Sequence, residues 1–158
     1  MLMIYLQTIG RYWDPGAKFL GDQSEKSKRN FQIYLAKEYV RLVKLSIDTQ
    51  RQKSKWVELT PGYLEYKRAH GLSTKIWEAT GELKESLQVF PKGRVITVGF
   101  DGRRNHSGTK LRLMKLARIL EYGNLRIPPR PLFRPIYTYM SKNINYFWEK
   151  YQKEGESK

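Results

Sequence analysis

Residues 116–124 read LARILEYGN, and residues 126–136 read RIPPRPLFRPI. The first run has the spacing of an amphipathic helix, and Gly123 can adopt the left-handed conformation that closes a last helical turn. Three prolines within 128–131 then exclude helix and favour an extended, polyproline-like path. Pro135 suits the first turn of a following helix, where its missing N–H would have no partner anyway. The stretch predicts a stiff corner between two helices, and local physics explains it equally well as a rigid loop of a small domain.

Length and composition indicate a folded protein of one domain. The chain has 158 residues, of which 40% are hydrophobic and 13% aromatic, enough to bury a core. We expect a single domain over residues 1–158, with a strand or arm over 1–23 and a flexible tail over 152–158. No stretch approaches the roughly 20 apolar residues that span a membrane. Met1–Ile9 lacks the basic start and the cleavage site of a signal peptide. Cysteine is absent from the sequence, which excludes disulfides and thiolate metal sites.

The net charge predicts an anionic partner. Thirty Lys and Arg residues against fifteen Asp and Glu residues leave a formal charge of +15, which creates a positive potential over much of the surface. Nucleic acid, acidic protein and anionic lipid would all satisfy such a surface. Charge alone does not choose among these three classes of partner.

Hydrophobic spacing predicts an α+β fold in which about four helices pack with a small antiparallel sheet. The strongest signal is a long helix over about 24–50, whose apolar residues recur at three and four positions. Thr60 and Pro61 have the residue types of an N-cap and a first helical turn. The other predicted elements, in chain order, are a helix to about Ala69, strands over 87–90 and 94–100 around a turn at 91–93, a helix over 109–122 and a C-terminal helix over 136–151.

No pattern of catalytic or metal-ligating residues stands out. The P-loop, the dinucleotide-binding glycine pattern and the zinc-protease motif are absent from the sequence, so the corresponding activities lack support. His70 and His106 lie far apart and both beside glycine, and we interpret them as ordinary loop histidines. The carboxylates form no close pair beyond helix-surface spacing, so a metal nuclease would need distant acids to meet. We therefore expect no enzymatic activity, no catalytic residue, no bound metal and no cofactor.

Sequence-independent nucleic-acid binding is the alternative that the charge keeps open. Arg103 and Arg104 begin a dense basic stretch that runs to Arg118, and aromatic residues are plentiful for stacking on bases. Most of these aromatics fall at core-facing positions of the predicted helices, however, where packing is their usual role.

Three segments, in order, match the motifs of one known family. Residues 56–63 read WVELTPGY, with Lys67 after them, and are similar to a W-x-x-L-(S/T)-x-x-(T/Y)…K opening. Residues 78–87 read EATGELKESL and are similar to a TG-x-L-x-x-S segment. Residues 116–123 and 127–133 read LARILEYG and IPPRPLF, which resembles an A-x-x-x-E-(F/Y)-G…IPARPFL signature. These motifs are those of the phage virion-morphogenesis family, which supplies the tail-completion and head–tail joining proteins of tailed bacteriophages.

This resemblance covers about residues 56–140, and Pro129 stands where the family usually has alanine. It implies a structural, non-enzymatic virion protein that assembles as a homo-oligomeric ring, expected to be a hexamer. The ring would lie in the neck or at the head-proximal end of the tail, where it completes the tail after assembly in the host cytoplasm. The implied partners are the portal or head-completion connector proteins, the tail tube proteins and the genomic DNA that passes through the channel, and no membrane is involved.

The proline corner is the predicted contact with a neighbouring subunit or partner. A ring needs interfaces that close, and stiff protruding elements suit them, while arginine and aromatic residues tend to anchor binding. A channel through which DNA passes should not bind that DNA tightly, so we expect most basic residues to face outward or toward acidic proteins. Arg103 and Arg104 are the candidates for contact with DNA in the lumen. The candidate interface residues are Arg126, Ile127, Pro128, Arg130, Leu132, Phe133 and Arg134.

Overall fold

A computed structural model of the chain describes residues 24–92, 95–100, 104–107 and 111–156. The strand or arm expected over 1–23 lies outside these residues, and so does Arg103. The described residues form an α+β fold, with six α-helices, one short 3-10 helix at Lys53–Lys55 and a two-stranded antiparallel sheet. The sequence predicts about four helices, and the structure adds a short one before the sheet and divides the C-terminal one in two.

The longest helix, α1, spans Glu25–Thr49, and this confirms the long helix that hydrophobic spacing predicts. The Ser24 hydroxyl caps it by accepting a hydrogen bond from the Ser27 N–H at 3.2 Å, which satisfies one of the free donors of the first turn. The helix ends at Gln50, whose φ of 52° is left-handed. Five of its buried residues recur every four positions, which places one continuous face against the rest of the molecule; they are Phe31, Leu35, Tyr39, Val43 and Ile47.

The sheet packs against α1 and is a single hairpin. Strand β1 spans Leu87–Lys92 and strand β2 spans Val95–Phe100, with Leu87 opposite Phe100. The side chains of Ile96, Val98 and Phe100 are buried, as the alternating pattern of the sequence predicts. The strand β1 is two residues longer than predicted, because Pro91 and Lys92 still pair with β2.

Two helices lie between α1 and the sheet. Helix α2 spans Pro61–Ala69 and begins after Thr60, with proline in its first turn, which confirms the predicted start and end. Helix α3 is a single short turn of helix over Glu82–Ser86 that follows Gly81. The sequence leaves this region without an assigned element, since Gly81 interrupts the helical pattern and only its positive φ of 86° makes a helix start possible there.

Three helices follow the sheet in the described part of the chain: α4 over Leu113–Tyr122, α5 over Phe133–Lys142 and α6 over Ile144–Glu156. The sequence predicts one continuous helix for the last two. The break lies at Asn143, whose side-chain amide donates to the Tyr139 carbonyl at 2.7 Å. Asparagine competes in this way with helix hydrogen bonds, and α5 ends there. Helix α6 also continues five residues beyond the predicted end, into part of the stretch expected to be a tail.

One apolar core joins these elements. Helix α1 contacts the sheet, α5 and α6, and the buried side chains form one cluster that reaches from Phe31 to Phe147. The Tyr39 hydroxyl crosses this cluster and donates to the Phe133 carbonyl at 3.0 Å, which fixes the start of α5 against α1. Among the described residues, no helix combines the length and apolar character needed to cross a membrane.

Candidate functional site: the braced corner and its cleft

Helix α4 ends in a turn that only glycine can make. Gly123 has a φ of 75° with a ψ of 178°, so its φ is positive as expected but its backbone is extended rather than left-handed helical. A Cβ at this position would lie 2.9 Å from the Ile127 carbonyl oxygen and 2.8 Å from the Pro129 nitrogen, both well inside normal contact. Glycine is therefore required here for the close approach of the following chain as much as for its torsion angles.

Asn124 holds the tip of the corner. Its side-chain oxygen accepts hydrogen bonds from the backbone N–H groups of Arg126 and Ile127 at 2.9 and 2.7 Å, and its own N–H donates to the Ile127 carbonyl at 2.8 Å. Asparagine often closes a tight turn by such bonds to the backbone ahead of it. The tip is thus fixed by its own polar groups before the prolines begin.

A buried carboxylate ties the far end of the corner to α4. Glu121 accepts hydrogen bonds from the N–H groups of Leu132, Phe133 and Arg134, at 2.7, 3.0 and 3.1 Å. The free N–H groups of a helix start carry partial positive charge, and a carboxylate satisfies them more strongly than a neutral acceptor does. Glu121 therefore caps α5 and clamps the two helices of the corner together.

Two tryptophans satisfy the carbonyl groups of the proline run. The indole N–H of Trp56 donates to the Pro131 carbonyl, and that of Trp77 donates to the Arg130 carbonyl, both at 2.8 Å. An extended run of prolines cannot form its own helix or sheet bonds, so its buried carbonyl oxygens need outside donors. These two indoles bring residues 56 and 77 directly onto the corner.

The side chain of Arg130 points into its own chain. It is 5% exposed and donates to the Val57 and Glu58 carbonyls at 2.7 and 3.1 Å. Burial is the main cause that lowers the pKa of the Arg130 guanidinium from its ordinary value, and arginine nonetheless remains charged at neutral pH. This guanidinium therefore fastens the corner to the segment ahead of α2.

Three of the seven predicted interface residues lie inside their own chain. Arg130, Leu132 and Phe133 are buried within their own chain. Leu132 and Phe133 offer no surface to a neighbour in this conformation, and Arg130 lines a cleft rather than the outer face of the corner. The cause is the set of bonds to Glu121 and the indoles, which turns this part of the corner inward. Four candidates remain accessible, with Arg126 and Arg134 exposed and Ile127 and Pro128 half-buried. For these four the interface role stays a prediction.

A cleft of about 380 Å³ opens between α2, α4 and the corner. Its walls are largely apolar and include Leu59, Leu116 and Ile127. Pockets of this size and composition, with a few polar groups set into apolar walls, are typical binding sites. The segment 75–83 forms the floor between the two helices, so all three segments that carry the family resemblance contribute to the cleft.

A buried lysine lies in the wall of this cleft. Lys67 is 2% exposed, and its ammonium donates to the Lys75 and Glu78 carbonyls at 2.8 and 2.6 Å while lying 5.6 Å from the centre of the Tyr63 ring. Burial lowers the pKa of Lys67 to about 8, with the charge of Arg130 acting in the same direction and that of Glu78 opposing it. Lys67 is therefore mainly protonated at neutral pH.

Neither buried cation of the cleft has a carboxylate partner among the described residues. Lys67 and Arg130 donate to backbone carbonyls, and the ion pairs of the described chain involve neither of them. The acid nearest in the lining is Glu78, whose carboxylate oxygen lies 3.9 Å from the Lys84 ammonium instead. The cleft is therefore apolar and positively charged.

The remaining residues singled out by sequence lie apart from the corner or at its edge. Arg104 is exposed, as contact with DNA would require. His70 is exposed, and its ring nitrogen lies 2.7 Å from the Tyr66 carbonyl at the end of α2. His106 is buried in the cleft lining, with its ring 3.4 Å from the Thr80 hydroxyl. Within the part of the chain that the structure describes, no group of three His, Asp or Glu residues could hold a metal ion.

Sequence reasoning missed the bracing roles of Glu121 and Trp77. Glu121 occupies the position four residues after Ala117 and eight after Leu113, on the buried face of α4. An acid on such a face is costly to bury unless it is hydrogen-bonded, and this conflict was the available signal. Trp77 carried no comparable signal, because its partner Arg130 lies 53 residues away in the chain.

Comparison of the chain with protein-family models, with curated proteins and with solved structures finds no match. The family resemblance therefore rests on the three sequence segments described above.

Proposed function

We propose that this protein is a structural component of a tailed-bacteriophage virion. In this proposal it forms a ring, expected to be hexameric, in the neck or at the head-proximal end of the tail. There it completes the tail and joins it to the connector of the head. The proposal starts from the resemblance of three sequence segments to the virion-morphogenesis family, and the packing of those segments supports it.

The observation that carries the proposal is that hydrogen bonds join the three family-like segments to one another. The first segment reaches it through the indole of Trp56, which bonds the Pro131 carbonyl. The second segment is joined to α2 by Lys67, which bonds the Glu78 carbonyl. The third segment contains Arg130, whose guanidinium returns to the first at Val57. If these motifs define a local structure shared by the family, they should contact one another although they lie far apart in sequence.

The outer face of the corner suits contact with a neighbouring subunit. Leu125 at the tip is fully exposed, and Tyr122 on the last turn of α4 is largely exposed. Arg126 and Arg134 flank them as exposed cations. Exposed apolar side chains next to arginine and tyrosine are typical of the centre of protein interfaces. Since the tip is held by Asn124, it would meet a neighbour without first having to become ordered.

A pair of variants at the tip tests this proposal. Leu125→Asp places a charge where an apolar contact is expected, and Leu125→Met keeps the apolar character as the matched control. We expect Leu125→Asp to shift the purified protein from ring to monomer in sedimentation velocity and to leave unjoined heads and tails in electron micrographs of an assembly reaction. A ring that persists in Leu125→Asp, with tails joined as in Leu125→Met, would contradict the role of the corner.

Nucleic-acid binding is the second candidate, and the charge of +15 is the observation that favours it. A protein that neutralises several phosphates loses affinity steeply as salt rises, because it displaces condensed counterions. DNA binding should therefore weaken as salt rises. Ring assembly should instead strengthen, because salt screens the repulsion between six basic subunits. Gel shifts with DNA across a salt series, beside sedimentation of the free protein, separate them.

A further inference from the structure

The cleft carries more positive charge than its own acid compensates. Four basic residues line it, and Glu78 is the only Asp or Glu among its described lining residues. The Lys84 ammonium bonds Asp48 at 2.6 Å and lies 3.9 Å from the Glu78 carboxylate, so four cations of the lining face one acid. An anion that entered the cleft would therefore meet a positive potential in surroundings of low polarity, where charge interactions are strong. The four basic lining residues are Lys67, Lys75, Arg126 and Arg130.

Two of these cations keep unused donors although they are buried. The Lys67 ammonium has three N–H groups and donates two of them within the described chain. The Arg130 guanidinium has five N–H groups, of which two have acceptors among the described residues. Buried charges are costly unless paired, and a carboxylate is the group that matches both cations. The donors left over fit a carboxylate ligand.

The rim of the cleft points to a polypeptide as the ligand. Tyr63 and Tyr66 are both exposed, and their rings stack with centroids 6.1 Å apart. The corner contributes the exposed Arg126 and the half-buried Ile127 and Pro128 to the same lining. Apolar and aromatic surface that extends beyond the cavity itself exceeds what a small ligand would cover, and it is typical of protein contacts.

We propose that the cleft docks a segment of an acidic partner protein, in which an apolar or aromatic side chain lies next to a carboxylate. The apolar side chain fills the space between Leu59, Leu116 and Ile127, and the carboxylate meets Lys67 and Arg130. A second copy of this chain is the poorer occupant of the cleft, because a protein of charge +15 would bring mainly like charges to these cations, whereas the contact between copies proposed at Leu125 and Tyr122 is apolar. This inference rests on the proposed function for the setting of the partner, a neighbouring protein of the virion neck.

A labelled peptide tests the docking directly. The probe is a fluorescein-labelled synthetic peptide in which leucine and phenylalanine alternate with glutamate. One control peptide has lysine for each glutamate, and the other has serine for each apolar residue. In fluorescence anisotropy with the full-length protein, we expect the first peptide alone to bind, and its affinity to fall between about 50 and 500 mM salt as charges are screened. Equal binding of the serine control would overturn the inference, because the apolar cleft would then contribute nothing.

A matched pair of charge reversals separates the cleft from the general basicity of the protein. Arg126→Glu changes a residue at the edge of the cleft, and Arg118→Glu makes the same change on the exposed side of α4, outside the lining. We expect the first to weaken peptide binding about tenfold and the second less than about twofold, since a contact charge acts more strongly than a distant one. Equal losses in both variants would contradict docking in the cleft.

Further measurements test a ligand that is not a polypeptide, the role of Lys67, and whether the docking and the ring fail independently. Dodecanoate supplies a carboxylate on an apolar chain without a polypeptide, and its binding as tightly as the peptide would overturn the polypeptide occupant. Lys67→Met, examined together with its thermal unfolding, should reduce peptide binding while the protein remains folded; if it unfolds, the Arg126 pair decides the question alone. Peptide binding by a chain that stays monomeric would contradict only the ring, and a ring without peptide binding would contradict only the docking inference.

Discussion

Replacing Glu121 by glutamine should loosen the corner while changing almost nothing in volume. The two carboxylate oxygens accept three backbone N–H groups at the start of α5, at 2.7, 3.0 and 3.1 Å. In Glu121→Gln, one oxygen can keep two of these bonds, whereas the amide NH₂ faces the third N–H as donor against donor. Hydrogen bonds to a charged acceptor contribute about 1 kcal/mol more than neutral ones, and a buried unsatisfied donor costs about 1–3 kcal/mol. The expected loss of unfolding free energy is therefore about 3 kcal/mol.

Urea unfolding followed by circular dichroism measures this loss. With a slope of about 2 kcal/mol per molar urea, the midpoint should fall by about 1.5 M. Glu149→Gln is the matched control, since Glu149 is exposed on α6 and a surface change of this kind stays within about 0.5 kcal/mol. A loss below about 1 kcal/mol in Glu121→Gln would refute the reasoning, because the carboxylate would then not be what holds the two helices together.

Three further variants test other parts of the corner and cleft. Gly123→Ala should destabilise the protein by about 3 kcal/mol in urea unfolding, because residue 123 has a positive φ and the added Cβ would overlap the following chain. The control is Gly62→Ala, where the added Cβ meets open space, and it should cost nothing or stabilise α2. Equal effects of the two variants would contradict the close approach at the corner. Trp77→Phe removes the indole donor to the Arg130 carbonyl and should cost about 1–3 kcal/mol, measured in the same way, and an unchanged midpoint would show that the bond is dispensable. The pKa of Lys67 is about 8 in the folded protein and about 10.4 in the unfolded chain. Between these pH values the unfolded chain binds more protons than the folded protein. The free energy of unfolding should therefore rise with pH, by about 2 kcal/mol from pH 8 to 10. Lys67→Met should lack this rise, and a rise of equal size in Lys67→Met would assign it to another group.

The sequence predicts well those features whose causes are local. The buried face of α1 from Phe31 to Ile47 follows a spacing that any window of the chain reveals. The start of α2 follows from Thr60 and Pro61, which act on their own turn. The corner itself follows from three prolines that exclude helix wherever they occur.

The features that the sequence does not reveal depend on contacts between distant residues. Arginine is usually exposed, and only the folded chain brings the carbonyls of residues 57 and 58 to Arg130, 73 and 72 positions away. The inward direction of Leu132 and Phe133 likewise depends on Glu121, whose hydrogen-bond partners are known only when α4 and α5 are placed. The split at Asn143 turns on a side-chain bond that competes with the helix, and residue type alone leaves this competition undecided.

The mass of the purified protein in solution tests the central claim most directly. Sedimentation equilibrium at physiological salt, over a range of protein concentrations, should give a discrete species whose mass is a small integer multiple of 18.8 kDa, with six copies expected. That species should dissociate in Leu125→Asp and persist in Leu125→Met. A mass of one chain at every concentration, unchanged by either substitution, would contradict the proposal that the corner joins copies of this protein into a ring.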